Sequence, residues 1–146
     1  MSGTGEARED FGGEPRDFRI RLGEIRRIEA KCEAGIGLVM GRLSRAVLLQ
    51  QQVGGLQAFS AGLDIRADDV RTVIYEGLVG AGMATPEASK LVRQEIDDRG
   101  LRGIVENIPV ALAVLWGSQE APESDALGES LAGGSPAEPQ TPSTSA

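Results

Sequence analysis

Residues 64–98, DIRADDVRTVIYEGLVGAGMATPEASKLVRQEIDD, decide the fold. Val70, Val73, Ile74 and Leu78 recur at helical spacing, so the first half reads as an amphipathic helix over residues 67–79. Asp68 and Asp69 sit in its first turn, where carboxylates suit the positive end of the helix dipole. Gly80 and Gly82 end it, because glycine takes left-handed backbone angles at little cost. Thr85 then reads as an N-cap, with Pro86 at the first helical position, where no amide hydrogen is wasted. Ala88, Leu91, Val92 and Ile96 form the next stripe, and Gly100 closes it. The block is a pair of helices joined by a glycine-rich turn.

Upstream, Phe18, Ile20 and Leu22 alternate with Arg19 and Arg21, the period of a half-buried strand. A lone strand needs a partner, and Phe11, across GGEPRD, offers one through an N-terminal hairpin. Leu22, Ile25, Ile28 and Cys32 then predict a first helix that Gly35 breaks. Ile36, Val39, Met40, Leu43 and Val47 predict a second. Within it, Gly37 and Gly41 read as sites of local packing. The run QQQVGGLQAFSAGL at residues 50–63 reads as a loop whose Leu56, Phe59 and Leu63 dock on the core.

Downstream, Leu101, Ile104, Val105, Ile108, Leu112 and Leu115 form one stripe of a last helix. Pro109, Val110, Ala111, Ala113, Val114 and Trp116 make its final turns apolar on every side. Such a helix must be buried all round. Either part of residues 108–116 faces a partner or a second copy of the chain, or this is the central core helix. Pro109 either kinks the helix or marks a new start after Asn107.

The ends differ from the middle of this 146-residue chain. Residues 1–15 are rich in glycine and charge and read as a flexible arm. Residues 117–146 are Gly, Ser, Pro, Thr, Ala and Glu, with Leu127 and Leu131 the only large apolar side chains, and read as a disordered acidic tail. The expected fold is mostly α: a small helical domain over residues 16–116, a short N-terminal strand or hairpin, and disordered tails. Five acids and no base lie after residue 116, so the tail holds most of the net charge of −7. A nearly balanced domain with an acidic tail lacks the basic footprint of a nucleic-acid binder. Cys32, the single cysteine, excludes an internal disulfide and fits a reducing compartment. The polar N-terminus lacks the basic-then-apolar pattern of a signal peptide, which points to the cytoplasm. The apolar run at residues 108–116 is far short of the ~20 residues that span a bilayer.

Chemistry is scarce. There is no histidine, so the commonest general base and metal ligand is missing. Cys32 lies on an apolar stripe, where burial is the better reading than nucleophilic use. The acid pairs Glu9/Asp10, Asp68/Asp69 and Asp97/Asp98 read as solvated, and none has the alternating oxygen ligands of a calcium loop. GLVGAG at residues 77–82 follows a helix and lacks the Lys and Ser/Thr of a phosphate loop, so a helix cap is the better reading. No catalytic, cofactor or metal residue is assigned, and an enzyme is not expected. The helix pair could be a DNA-reading unit offering Lys90 and Arg93 to a groove. Glu87, Glu95, Asp97 and Asp98 on the same segment would repel phosphates, which favours a plain helical hairpin.

Taken in order, FRIRLGEIRRIE (18–29), AGIGLVMGRL (34–43), DDVRTVIYEGLVGAGMATPEASKLV (68–92) and the apolar helix ending at Trp116 resemble a known family. It is the gene-transfer-agent and phage tail protein family whose members act as small tail assembly chaperones. The resemblance covers residues 18–117 and lies in the order and spacing of weak motifs. The loop at residues 50–63 is longer than the family's, and the tail is an addition. The resemblance implies a non-catalytic cytoplasmic protein that binds the tape measure protein and tail tube protein during assembly, without nucleic acid or membrane. Leu112, Leu115 and Trp116 are the expected partner-binding residues, and the last helix also offers a surface for self-association. The competing readings are a structural component of the virion tail and a helix-turn-helix regulator.

Overall fold

A computed structural model of the chain describes residues 5–119. Its elements in order are β1 (Glu6–Phe11), β2 (Glu14–Arg19), α1 (Leu22–Cys32), α2 (Ile36–Val53), α3 (Gly55–Ser60), α4 (Ala67–Gly80), α5 (Thr85–Glu95), a 3-10 turn (Asp97–Arg99) and α6 (Gly100–Gln119). The fold is mostly helical, with an antiparallel hairpin at its N-terminal end. Within the arm expected at residues 1–15, residues 6–11 form β1 and pair with residues 14–19. α6 continues past residue 116 to Gln119. Residues 1–4, and the expected tail from residue 120 on, lie outside the described residues.

The hairpin turns on two residues. Phe11 pairs with Glu14, leaving Gly12 and Gly13 between them at φ +66° and +83°. The tight turns that match strand twist need positive φ at both central positions, which glycine supplies. Phe11, Phe18 and Ile20 enter the core. Leu22, which the alternation and the helical stripe both include, starts α1 and is exposed.

α4 is the hub. It packs against β2, α1, α2, α5 and α6. Val70, Val73, Ile74 and Leu78 are fully buried, as their spacing predicts. Thr72, Glu76 and Asp69 are buried too. The apolar last helix is enclosed in part as well, by β1, β2, α2, α3 and α4, with Leu101, Pro109 and Trp116 left exposed. The glycines of α4 divide the work. Gly77 faces Phe18 and Val114, and Gly80 faces the Arg19 carbonyl, so the hairpin lies directly on the helix. Gly82, at φ +109°, makes the cap. Its N–H donates to the Val79 carbonyl at 3.0 Å, and the Met83 N–H donates to the Leu78 carbonyl at 3.0 Å. That pair of bonds satisfies carbonyls which a helix end otherwise leaves open.

Four local expectations change. α2 runs through the three glutamines to Val53, and Gly54 at φ +94° separates it from α3, so residues 50–53 and 55–60 of the expected loop are helical. Polar residues there mark an exposed helix face, not a chain break. Phe59 and Leu63 do pack on the core, but Leu56 is exposed. Ala84, not Thr85, caps α5, whose first turn is closed by the Ala88 N–H on the Ala84 carbonyl at 2.9 Å. Gly100, at φ +61°, joins the 3-10 turn to α6 instead of ending α5. Around Gly37 nothing lies within 4 Å of where a Cβ would stand, and Gly41 meets only Arg45 of its own helix, so neither glycine marks packing.

Pro109 neither starts nor breaks α6. A proline cannot bond the carbonyl four residues back, here that of Val105. Gln50 Nε2 from α2 donates to that carbonyl at 3.1 Å. Gln50→Ala should therefore cost about 1 kcal/mol in urea denaturation. In a Pro109→Ala background, where residue 109 can bond Val105 itself, most of that cost should vanish. Equal costs in both backgrounds would disprove the coupling.

Candidate functional site

Buried carboxylates of this domain are held by arginines. Asp69 is fully buried, against the expectation that it is solvated. Its Oδ2 accepts from the Arg66 N–H at 2.9 Å, and its Oδ1 accepts from Arg42 Nη2 at 2.8 Å. Arg42 itself is only 4 % exposed. The sequence carried a signal for this pair: Arg42 lies between Val39, Leu43 and Ala46 on the buried face of α2, where a charge needs a partner. Glu76 is held in the same way by Arg27 at 2.8 Å, and Arg71 grips Asp97 with two bonds of 2.7 and 2.9 Å. Arginines thus tie α4 to α1, α2 and the 3-10 turn.

Cys32 is fully buried, as expected, and its Sγ donates to the Asp68 carbonyl at 3.2 Å. Burial, reinforced by the Asp69 charge, pushes the thiol up from 9.0 to about 12. The folded chain thus keeps a proton that the unfolded chain releases. The associated stability is present below about pH 9 and is lost as pH rises towards about 12. Alkylation of Cys32 at pH 8 should proceed only through unfolding and accelerate in step with denaturant. A fast reaction in native buffer would contradict this burial.

The hairpin's outer face carries cross-strand ion pairs Glu6–Arg19 and Arg8–Asp17. They border a depression of about 390 Å³ together with Ala7, Phe18 and Ala81. Among the described residues no group of three His, Cys, Asp or Glu side chains could hold a metal, and no helix is long and apolar enough to cross a membrane. On α5, Lys90 and Arg93 are both exposed, and so is Glu87.

The surface that stands out is on α6. Its buried side comprises Gly103, Val105, Asn107, Ile108, Ala111, Val114, Leu115 and Ser118. Opposite, Arg102, Glu106, Pro109, Ala113 and Trp116 recur at spacings of four and three, which keeps them on one stripe. The stripe changes character along its length. In the first half Glu106 accepts from Arg99 and sits 3.6 Å from Arg102. Arg99, then Arg102, hold its carboxyl below the usual range. The second half is Pro109, Ala113 and Trp116, with Leu112 half-buried at its flank; Trp116 is 55 % exposed.

Of the three residues expected to bind a partner, the structure brings two together at this surface. Leu112 and Trp116, one turn apart, border the outward stripe, whereas Leu115 is fully buried and serves the core. Comparison with family models, with curated proteins and with solved structures found no match.

A second cluster of exposed apolar side chains was not foreseen. Val53 and Leu56 flank Gly55, which lies against Val105, and Leu101 precedes Val105 by one turn. These three surround the junction of α2, α3 and α6. Leu38 and Leu48 are exposed along α2. Helical periodicity places Leu101 in the core stripe; it is exposed in the first turn of α6, while the rest of the stripe faces the core.

Proposed function

We propose that this protein is a non-catalytic tail assembly chaperone of a phage or gene transfer agent. It captures apolar helical segments of the tape measure protein and helps recruit tail tube protein in the cytoplasm of the producing cell. The observation that carries the reading is the outward half-stripe of α6, where Trp116 and Pro109 are exposed beside the half-buried Leu112 and Ala113. An aromatic anchor on a shallow apolar helix face suits capture of another amphipathic helix. The resemblance of residues 18–117 supports the choice of tail proteins as cargo.

The test is affinity capture of tagged protein from its producing cells during particle formation, with the captured proteins identified by mass spectrometry. Recovery of a long helix-rich tail protein, lost in a Leu112→Ser/Trp116→Ser variant that retains its helical circular dichroism, supports the reading. Abundant chain in purified particles would replace it with a structural tail component. Nucleic acid released by salt, with no tail protein, would replace it with a regulator.

A further inference from the structure

Gly54 and Gly62 bracket α3. Gly54 stands at φ +94° and ψ 161°, a region that is essentially glycine's alone, and Gly62 at φ +90°. Nothing lies within 4 Å of where a Cβ would stand at either, so the chain has room to turn at both points. The Ala58, Ala61 and Gly62 N–H groups donate to the carbonyls of Gly54, Gln57 and Phe59, and Ser60 Oγ donates to the Gln57 carbonyl, so these bonds close within the segment. Among the described residues, no side chain of residues 55–62 bonds to another element, and packing alone holds the segment in place. Ala58 is fully buried and Phe59 half-buried, while Leu56, Gln57, Ser60 and Ala61 are exposed. What the segment covers is a single contact. A Cβ at Gly55 would stand 2.7 Å from Val105 Cγ1 and 3.9 Å from Gln50 Nε2. Those two residues form the hydrogen bond that replaces the one Pro109 cannot make.

We propose that residues 55–61 are a strap that swings open about Gly54 and Gly62 while α2, α4 and α6 stay folded, and that the closed strap keeps water from the Gln50–Val105 bond. Segments with few buried contacts open before the rest of a native domain. Opening uncovers Val105 beside Val53 and Leu101, which are already exposed. It also lets water compete for the Val105 carbonyl, so α6 loosens at Pro109 when the strap is open. Closure does the reverse, because a hydrogen bond is stronger where water is excluded. The device is a property of the free chain and holds whether or not the chain captures tail proteins.

Hydrogen exchange of the purified full chain, followed by nuclear magnetic resonance, is the test. The Ala58 and Ala61 amides should exchange at least about 100-fold faster than those of Val73 and Ile74 in α4, with almost no dependence on low urea, because local opening exposes little surface. Gly80→Ala strains the contact between β2 and α4, which is the same whether the strap is open or closed. It should therefore speed the Val73 and Ile74 amides about ten-fold or more and leave Ala58 and Ala61 unchanged. The geometry also permits a lock. With the added Cβ 2.7 Å from Val105 Cγ1, the Cβ atoms of residues 55 and 105 lie no more than about 4.2 Å apart, within the ~3.5–4.5 Å of a disulfide. Oxidised Gly55→Cys/Val105→Cys should slow Ala58, Ala61 and the Gln50 side-chain amide roughly ten-fold or more relative to Val73, and reduction should restore them. Strap amides that exchange in step with α4, or that Gly80→Ala speeds equally, overturn the hinge. Gln50 side-chain protons that the lock leaves unchanged overturn the shielding.

Discussion

Asp69→Ala should remove most of the stability of this domain. The carboxylate is fully buried between the Arg66 N–H and the Arg42 guanidinium. Arg42 Nε has no hydrogen-bond partner among the described residues, so deleting Asp69 leaves a buried cation without its anion. Breaking one side of a buried pair costs about 3–5 kcal/mol, against a total of about 5–15 for an ordinary domain. Urea denaturation followed by helical circular dichroism should show the loss. The paired change Arg42→Met with Asp69→Asn provides the control. It withdraws both charges and keeps an oxygen for the Arg66 N–H, so it should recover most of the stability. If the double variant is as unstable as Asp69→Ala, the cost lies in shape and not in the stranded charge.

Gly80→Ala is the second. A Cβ at residue 80 would stand 2.2 Å from the Arg19 carbonyl oxygen, a backbone atom that cannot swing aside. To make room, the end of β2 must lift from α4, which opens the contact that Gly77 makes with Phe18 next to it. Overpacking of this kind costs about 1–3 kcal/mol, and the backbone origin of the clash puts this case at the upper end. Gly37→Ala is the opposite case, with nothing within 4 Å of the added methyl on an exposed helix face. It should stabilise by about 0.5–1 kcal/mol through helix propensity. Thermal melts of the two variants should move in opposite directions. A Gly80→Ala protein as stable as the parent would mean that the hairpin does not rest on α4 at this point.

Much of the fold was legible because it depends on local rules. The stripes of α1, α2, α4 and α5 follow from a 3.6-residue period. The hairpin follows from alternation around a Gly-Gly pair. The stop at Gly82 follows from the angles only glycine takes readily. What misled was reading polarity as exposure or as loop. Asp69 and Glu76 are polar and buried because arginines distant in sequence reach them. The glutamines before Val53 are polar and helical, and Gln50 completes the bond that Pro109 leaves open on another helix. Neither arrangement has a local signature beyond the placement of Arg42 on an apolar stripe.

The candidate surface shows the same division. The sequence by itself determined that α6 carries more apolar side chains than one buried face can hold, since its final turns are apolar in every direction. Only the tertiary structure decided which of them go in. α6 packs closely on α4, Gly103 lies against the Ile96 backbone, and Val114 lies against Gly77. Close approach selects the side bearing Gly103, Asn107 and Ala111, and the expected stripe of Ile104, Val105, Ile108, Leu112 and Leu115 lies beside it against the core. Leu115 is in the core with the rest of that stripe, while Leu101, in the first turn, and Trp116, off the stripe, face outward. Periodicity can count the apolar residues of a helix, but its rotation is set by how near the neighbouring backbones can come.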